Sequence, residues 1–163
     1  MKRLALSIGF FLLSVNATFA QTKSPIEGVW KITEVVWPRQ GSVVTNPQPG
    51  LMIFTRGYYS TLEVMGGEPR AAAAASKDPQ HLSDSEKIAR FEEWRPFGAS
   101  SGAYEIKGST LIRRVTVAKN VRVMTRGVPT IWEFKLEGPN TLWLLPAGDL
   151  TATEPNYKLT RLE

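Results

Sequence analysis

Arg113 and Arg114 stand side by side in a run of β-branched and apolar residues, Thr110 to Ala118. In an extended strand adjacent side chains point to opposite faces, so one of the two guanidinium groups must face inward in whatever sheet the run joins. A buried guanidinium requires an anion. Glu63 and Glu105 are the internal candidates, with a water-exposed rim position as the alternative, and a ligand carboxylate or phosphate is the external one. Alternation alone does not choose between the two arginines; Arg113 is the candidate ligand contact. Tyr104 offers a hydroxyl to the polar end of a ligand, and Ile106 repeats its facing. Trp132 and Phe134, together with Met52 and Phe54 or else Leu51 and Ile53, supply apolar walls of the kind a small-molecule pocket uses. The same side chains equally suit a small barrel filled by its own core.

Other chemistries find little to work with. The 163 residues include no cysteine and a single histidine, His81, so thiolate and multi-histidine metal sites are excluded within one chain, and no metal or cofactor is called for. His81 lies in a polar connector with no serine, cysteine or carboxylate placed by the sequence to form a triad, and no catalytic residue is assigned. Glu92 and Glu93 are helix neighbours about 100° apart, which separates their carboxyls. No glycine-rich phosphate loop is present. The formal charge of +5 is modest, and Lys119, Arg122 and Arg126 have no interleaved aromatic residues, so nucleic acid is not an expected partner.

The elements that must position these groups are mostly short strands. Gly28 to Trp37 is rich in Val, Ile, Thr and Trp and stops at Pro38, but its alternation does not say which side is inward. Pro38 to Gly50 reads as a loop. Leu51–Thr55 and Tyr58–Val64 flank Arg56-Gly57 as a hairpin. Strands follow over Ala103–Lys107, Thr110–Ala118, Thr130–Glu137, Thr141–Pro146 and Tyr157–Leu162, separated by glycine, asparagine and proline signals. In Thr130–Glu137, Trp132, Phe134 and Leu136 alternate with Glu133, Lys135 and Glu137, so one face is dry and the other wet. Between the strands, Ser83-Asp84-Ser85-Glu86 forms a capping box that starts a helix at Asp84, with Pro96 ending it. Its stripe of Ile88, Phe91 and Trp94 suits it to plug or cover a barrel mouth. The sum is an all-β chain: about eight antiparallel strands in up-and-down order, closed into a barrel, with one inserted helix over about 84–95.

Ahead of this domain, Lys2 and Arg3, the apolar stretch Leu4 to Val15 and the small residues of Thr18-Phe19-Ala20 have the pattern of a secretory signal. The expectation is cleavage after residue 20, a mature barrel domain over 21–163, and periplasmic or secreted localisation. The apolar run is shorter than the roughly 20 residues that span a bilayer, and no cysteine follows it for lipid attachment, so no stable membrane anchor is expected after cleavage.

Two ordered sets of residues resemble the bacterial lipocalin-like domain family. The first is Gly28-Val29-Trp30 followed by Asn46-Pro47-Gln48-Pro49-Gly50 and the hairpin from Leu51 to Ser60. The second is Phe97-Gly98-Ala99-Ser100-Ser101-Gly102-Ala103-Tyr104-Glu105-Ile106, then Trp132 to Leu142. The resemblance implies a calycin-type β-barrel with a lined interior. It also implies a structural role for Gly28 and Trp30 at the barrel base, with Arg161 of the last strand laid across the indole. The leading functional expectation is an exported barrel that binds or carries a hydrophobic small molecule in its interior. The alternatives are a barrel enzyme of isomerase, cyclase or hydrolase type using a cavity Tyr and Arg, and a structural scaffold with a filled barrel.

Overall fold

The computed structural model describes residues 23–148, 151 and 153–163. The expected export segment lies outside these. Nine strands form one antiparallel sheet: β1 (Gly28–Trp37), β2 (Ser42–Val44), β3 (Gly50–Thr55), β4 (Tyr58–Val64), β5 (Phe97–Lys107), β6 (Thr110–Ala118), β7 (Thr130–Glu137), β8 (Thr141–Pro146) and β9 (Asn156–Arg161). β9 pairs back onto β1, with Trp30 opposite Arg161 and Val36 opposite Asn156, so the sheet closes on itself. β2 pairs only with β1 and stands outside the ring, which leaves eight strands in up-and-down order as the wall. The expected barrel and its inserted helix, α1 (Asp84–Trp94), are therefore present. Two small elements go beyond the expectation: β2 inside the 38–50 loop, and a five-residue helix, α2 (Val121–Thr125), capped by the Asn120 side chain.

The strand directions divide the barrel into two unlike ends. Tight turns at 56–57, 108–109 and 138–140 lie at one end, and the strand ends joined by the long connections 38–49, 65–96 and 119–129 and by the β8–β9 connection lie at the other. The tight-turn end is sealed. Ile26 and Trp30 are wholly buried there, and the Trp30 Nε1–H donates to the Ile26 carbonyl at 2.8 Å. The Arg161 guanidinium lies 4.1 Å from the centroid of the Trp30 ring. It also donates to backbone carbonyls of Pro25, Glu27 and Pro139, so one side chain joins the N-terminal lead, the last strand and the β7–β8 turn.

Local chemistry accounts for the elements. At Arg56-Gly57 both residues take positive φ, 45° and 82°, as a two-residue hairpin turn requires, and glycine adopts such a φ without steric cost. In α1 the Ser83 and Glu86 side chains exchange hydrogen bonds with each other's backbone N–H groups. No residue of α1 is buried: Ile88 and Phe91 are each 63% exposed and Trp94 53%. The helix does not plug the mouth, because its end is held outside the barrel. Lys119 Nζ donates to the carbonyls of Trp94, Arg95 and Phe97, and the Trp94 ring meets Phe97 edge-on at 5.5 Å, with Arg70 over both rings. Among the described residues, no helix is long and apolar enough to cross a membrane.

Candidate functional site

Inside the wall, three rungs of residues run across β3, β4 and β5: Phe54–Tyr59–Gly102, Met52–Thr61–Ser100 and Gly50–Glu63–Gly98. On each rung the inward residue of β4 faces a small residue of β5. At the long-connection end a cavity of about 200 Å³ is lined by Met52, Tyr59, Thr61, Glu63, Ser100, Arg113, Trp132, Glu154 and Tyr157. A second hollow of about 180 Å³ adjoins it through Glu63, Met65, Glu154 and Tyr157, and its walls are mainly Ile32, Val35, Trp37, Val44, Pro47 and Val64.

Arg113 is the centre of the inner cavity. It is 8% exposed, whereas Arg114 points outward and pairs with Glu105 at 2.9 Å. The Arg113 guanidinium carbon lies 4.6 Å from the Trp132 ring centroid and 5.0 Å from that of Tyr59. These contacts supply cation–π attraction, which strengthens when the cation is desolvated. Among the described residues no side chain or carbonyl hydrogen-bonds the guanidinium, no carboxylate comes within ion-pair distance, and its Nε is buried without a partner. Burial pulls its pKa below the ordinary arginine value, but a guanidinium remains a cation in any protein setting.

Further donors share this space unsatisfied: the Tyr59 and Thr61 hydroxyls and the Trp132 indole N–H. Tyr157 is different, since its hydroxyl donates to Glu63 Oε1 at 3.2 Å. Burial, reinforced by the charges of Glu63 and Glu154, holds the Tyr157 phenol well above its usual pKa. Burial also raises the Glu63 carboxyl, against the lowering effects of the Tyr157 hydrogen bond and of Arg113, and it raises Glu154 in the same way.

The raised carboxyls make a pH prediction. A glutamate in an unfolded chain titrates near 4.3, so just above that pH the folded protein still holds a proton that the unfolded chain has released. The stability contributed by Glu63 is therefore fully present below the unfolded value and is lost as pH rises through the raised folded value. Glu63→Gln is expected to lose less stability than the parent between about pH 4 and about pH 8 in urea unfolding. The parent-minus-variant difference isolates Glu63 from exposed carboxyls of opposite sign, such as Glu86, which its hydrogen bonds from Ser76 and Ser83 hold down to about 2. A difference that stays flat with pH would mean that Glu63 binds its proton no more tightly in the folded barrel than in the unfolded chain.

Of the other residues singled out from the sequence, Met52 and Trp132 line the inner cavity beside Arg113. Phe54 and Tyr104 are buried nearer the sealed end and meet edge-on at 5.4 Å. Ile106 and Phe134 are half-buried against the core and line neither hollow. Tyr104 and Ile106 also edge an open dent of about 530 Å³ with Lys23, Ser24, Glu27 and Arg56. That dent opens to solvent and holds no buried charge, whereas the interior cavity does. Tyr59, Thr61, Ser100, Glu154 and Tyr157 join the site from outside the sequence-based set.

A ring of eight antiparallel strands joined to their neighbours in order, sealed at one end and hollow toward the other, settles the architecture. The fold is a lipocalin-like β-barrel. No known protein family matches the chain, and no curated protein does. Among solved structures it is similar to a lipocalin-like protein from Bacteroides uniformis, with 11% identity and a TM-score of 0.48 over 85% of this chain and 100% of that one. It is also similar to an uncharacterized protein from Bacteroides eggerthii, with 9% identity and a TM-score of 0.45 over 83% and 98% of the two chains. In this lipocalin-like barrel, the interior at the long-connection end has the space, the apolar walls and the unpaired donors that a bound small molecule would use.

Proposed function

We propose that this protein is an exported carrier that holds a small, largely apolar molecule in the long-connection end of its barrel. The observation that carries the reading is the interior cavity itself, which is lined by Gly98, Ser100, Thr61, Glu63 and Arg113 and leaves buried polar groups without partners. Polar groups left unpaired inside a protein cost stability unless a ligand or ordered water meets them. The walls of the adjoining hollow supply the apolar contact that gives a small ligand most of its affinity. The signal-like segment ahead of the barrel supports export to the periplasm or beyond.

Native mass spectrometry of the protein purified from the envelope of its own host tests both parts. The expected result is a mature mass beginning at Gln21 plus an additional mass that is released on denaturation. A full-length chain in the cytoplasmic fraction would overturn export. A mature mass with no adduct, from a protein that also takes up no small amphiphile when offered one, would overturn the carrier reading.

A further inference from the structure

We propose that the ligand is an amphiphilic acid that enters head first, its anionic head seated on Arg113 and its apolar tail lying in the hollow between the β1–β2 corner and the end of β4. The inference deepens the carrier reading and rests on it. The Arg113 guanidinium lies over the Tyr59 and Trp132 rings, and no described residue hydrogen-bonds its N–H groups, which are left to bond a ligand. An edge of parallel N–H groups matches a carboxylate or sulfate in a bidentate fashion, and such charge-assisted bonds are about twice as strong as neutral ones.

The remaining unsatisfied groups agree in sign. The guanidinium Nε–H and the Trp132 N–H can only donate and the hydroxyls of Tyr59 and Thr61 can donate or accept, so a ligand head made of acceptors is compatible with all four. An alcohol or ketone would satisfy one or two of them. An oxyanion can meet more of them and also places a counter-charge at ion-pair distance, where no described carboxylate stands.

The tail has one evident course. The cavity around Arg113 and the outer hollow share Glu63, Met65, Glu154 and Tyr157 as wall residues, and the other walls of the outer hollow include Ile32, Val35, Trp37, Val44, Pro47 and Val64. Each space is smaller than the ~300–1,000 Å³ typical of drug-sized ligands. A slender chain passing from one to the other fits this pair better than a fused-ring body does.

Glu63 of β4 and Glu154 ahead of β9 face the same space, with the phenols of Tyr59 and Tyr157 the other titratable groups around Arg113. Ionised carboxylates there repel an anionic head, and burial keeps both carboxyls above their ordinary range. Binding of a permanently ionised head therefore weakens as pH rises through those values.

The test titrates the purified protein with three chain-matched probes, each kept below its micelle-forming concentration and followed by calorimetry: decyl sulfate, decanol and decyltrimethylammonium. Decyl sulfate is expected to bind at least about tenfold more tightly than decanol, as a charged hydrogen-bonded head should. Arg113→Met is expected to bring the two to parity while leaving decanol binding within about threefold of the parent. Should that variant fail to fold, Thr61→Val removes a single donor and is expected to weaken decyl sulfate several-fold and decanol hardly at all. Equal binding of sulfate and alcohol overturns the acid head and leaves the carrier reading standing. Preference for the trimethylammonium probe also overturns it, since Glu63 and Glu154 would then be the recognising groups. Binding of none of the three overturns this inference and the carrier reading together.

Discussion

Trp30→Ala is expected to cost the barrel about 3–5 kcal/mol, the range for truncating a fully buried tryptophan. The indole is wholly buried, its N–H is bonded to the Ile26 carbonyl at 2.8 Å, and Arg161 covers its face at 4.1 Å. Truncation removes the burial, leaves a cavity and orphans the Ile26 carbonyl. It also takes away the platform that positions Arg161 for its carbonyls on Pro25, Glu27 and Pro139. Urea unfolding measures the loss. Trp30→Phe separates the contributions, because it keeps an aromatic ring under Arg161 but removes the N–H donor, and about 1–2 kcal/mol is expected there. A loss below about 1 kcal/mol for the alanine variant would mean that the sealed end is not what holds the ring of strands together. Ligand uptake by the folded fraction should be unchanged, since Trp30 lies at the opposite end from the cavity.

That separation of ends explains which parts of the site were legible in the sequence. Hairpin arithmetic contains more than simple alternation does. The two-residue turn Arg56-Gly57 sets Phe54 against Tyr59, so an inward Phe54 requires an inward Tyr59, and Tyr58 is then left 65% exposed. The turn at Gly108-Ser109 likewise sets Tyr104 against Arg113, so the inward pair Tyr104 and Ile106 selects Arg113 over Arg114. Alternation along β6 alone leaves the choice between the arginines open, because apolar residues stand on both of its sides, and the choice closes once the turn fixes the register.

Other features obey no periodicity. In β1 the inward set runs Trp30, Ile32, then Val35, because a bulge at Thr33 inserts one residue between Ile32 and Glu34. A single face read through that strand mixes charge with apolar side chains. β5 is longer than its apolar core suggests: Phe97 to Gly102 pairs fully with β4 although it consists largely of glycine, alanine and serine, types with weak strand preference. Glu154 belongs to a connection with no repeating pattern, and only folding brings it to Arg113. The stripe on α1 is the opposite case, a clear periodicity that stays exposed at Ile88 and Phe91, while Trp94 meets Phe97 and Arg70.

Gly102→Ala is expected to cost about 3 kcal/mol or more, at the upper end of what overpacking does, because the clash is with backbone that has nowhere to go. Between β5 and β6 the register shifts, with Ser101 opposite Val117 and Gly102 opposite Val115, so Thr116 is the extra residue of a bulge. The bulge pushes β6 against Gly102: a methyl group there would stand 2.0 Å from the Arg114 carbonyl oxygen and 2.8 Å from the Thr116 nitrogen. Neither is the end of a flexible side chain, so relief requires the strands to part. Arg113 sits immediately before that carbonyl, and parting the strands would move its guanidinium off the Tyr59 and Trp132 rings. The variant should therefore lose affinity for an anionic amphiphile even at temperatures where it remains folded. Ser101→Ala, one residue away on the outer face, gives up only a hydroxyl bond to Ser60 and should cost about 1 kcal/mol or less in the same unfolding measurement. If Gly102→Ala proves as mild as Ser101→Ala, the two strands can slide apart without penalty, and the position of Arg113 must be fixed by its aromatic neighbours alone. The glycine thus acts through the backbone: lacking a side chain, it admits the bulge, and the bulge sets the strand that carries the cation.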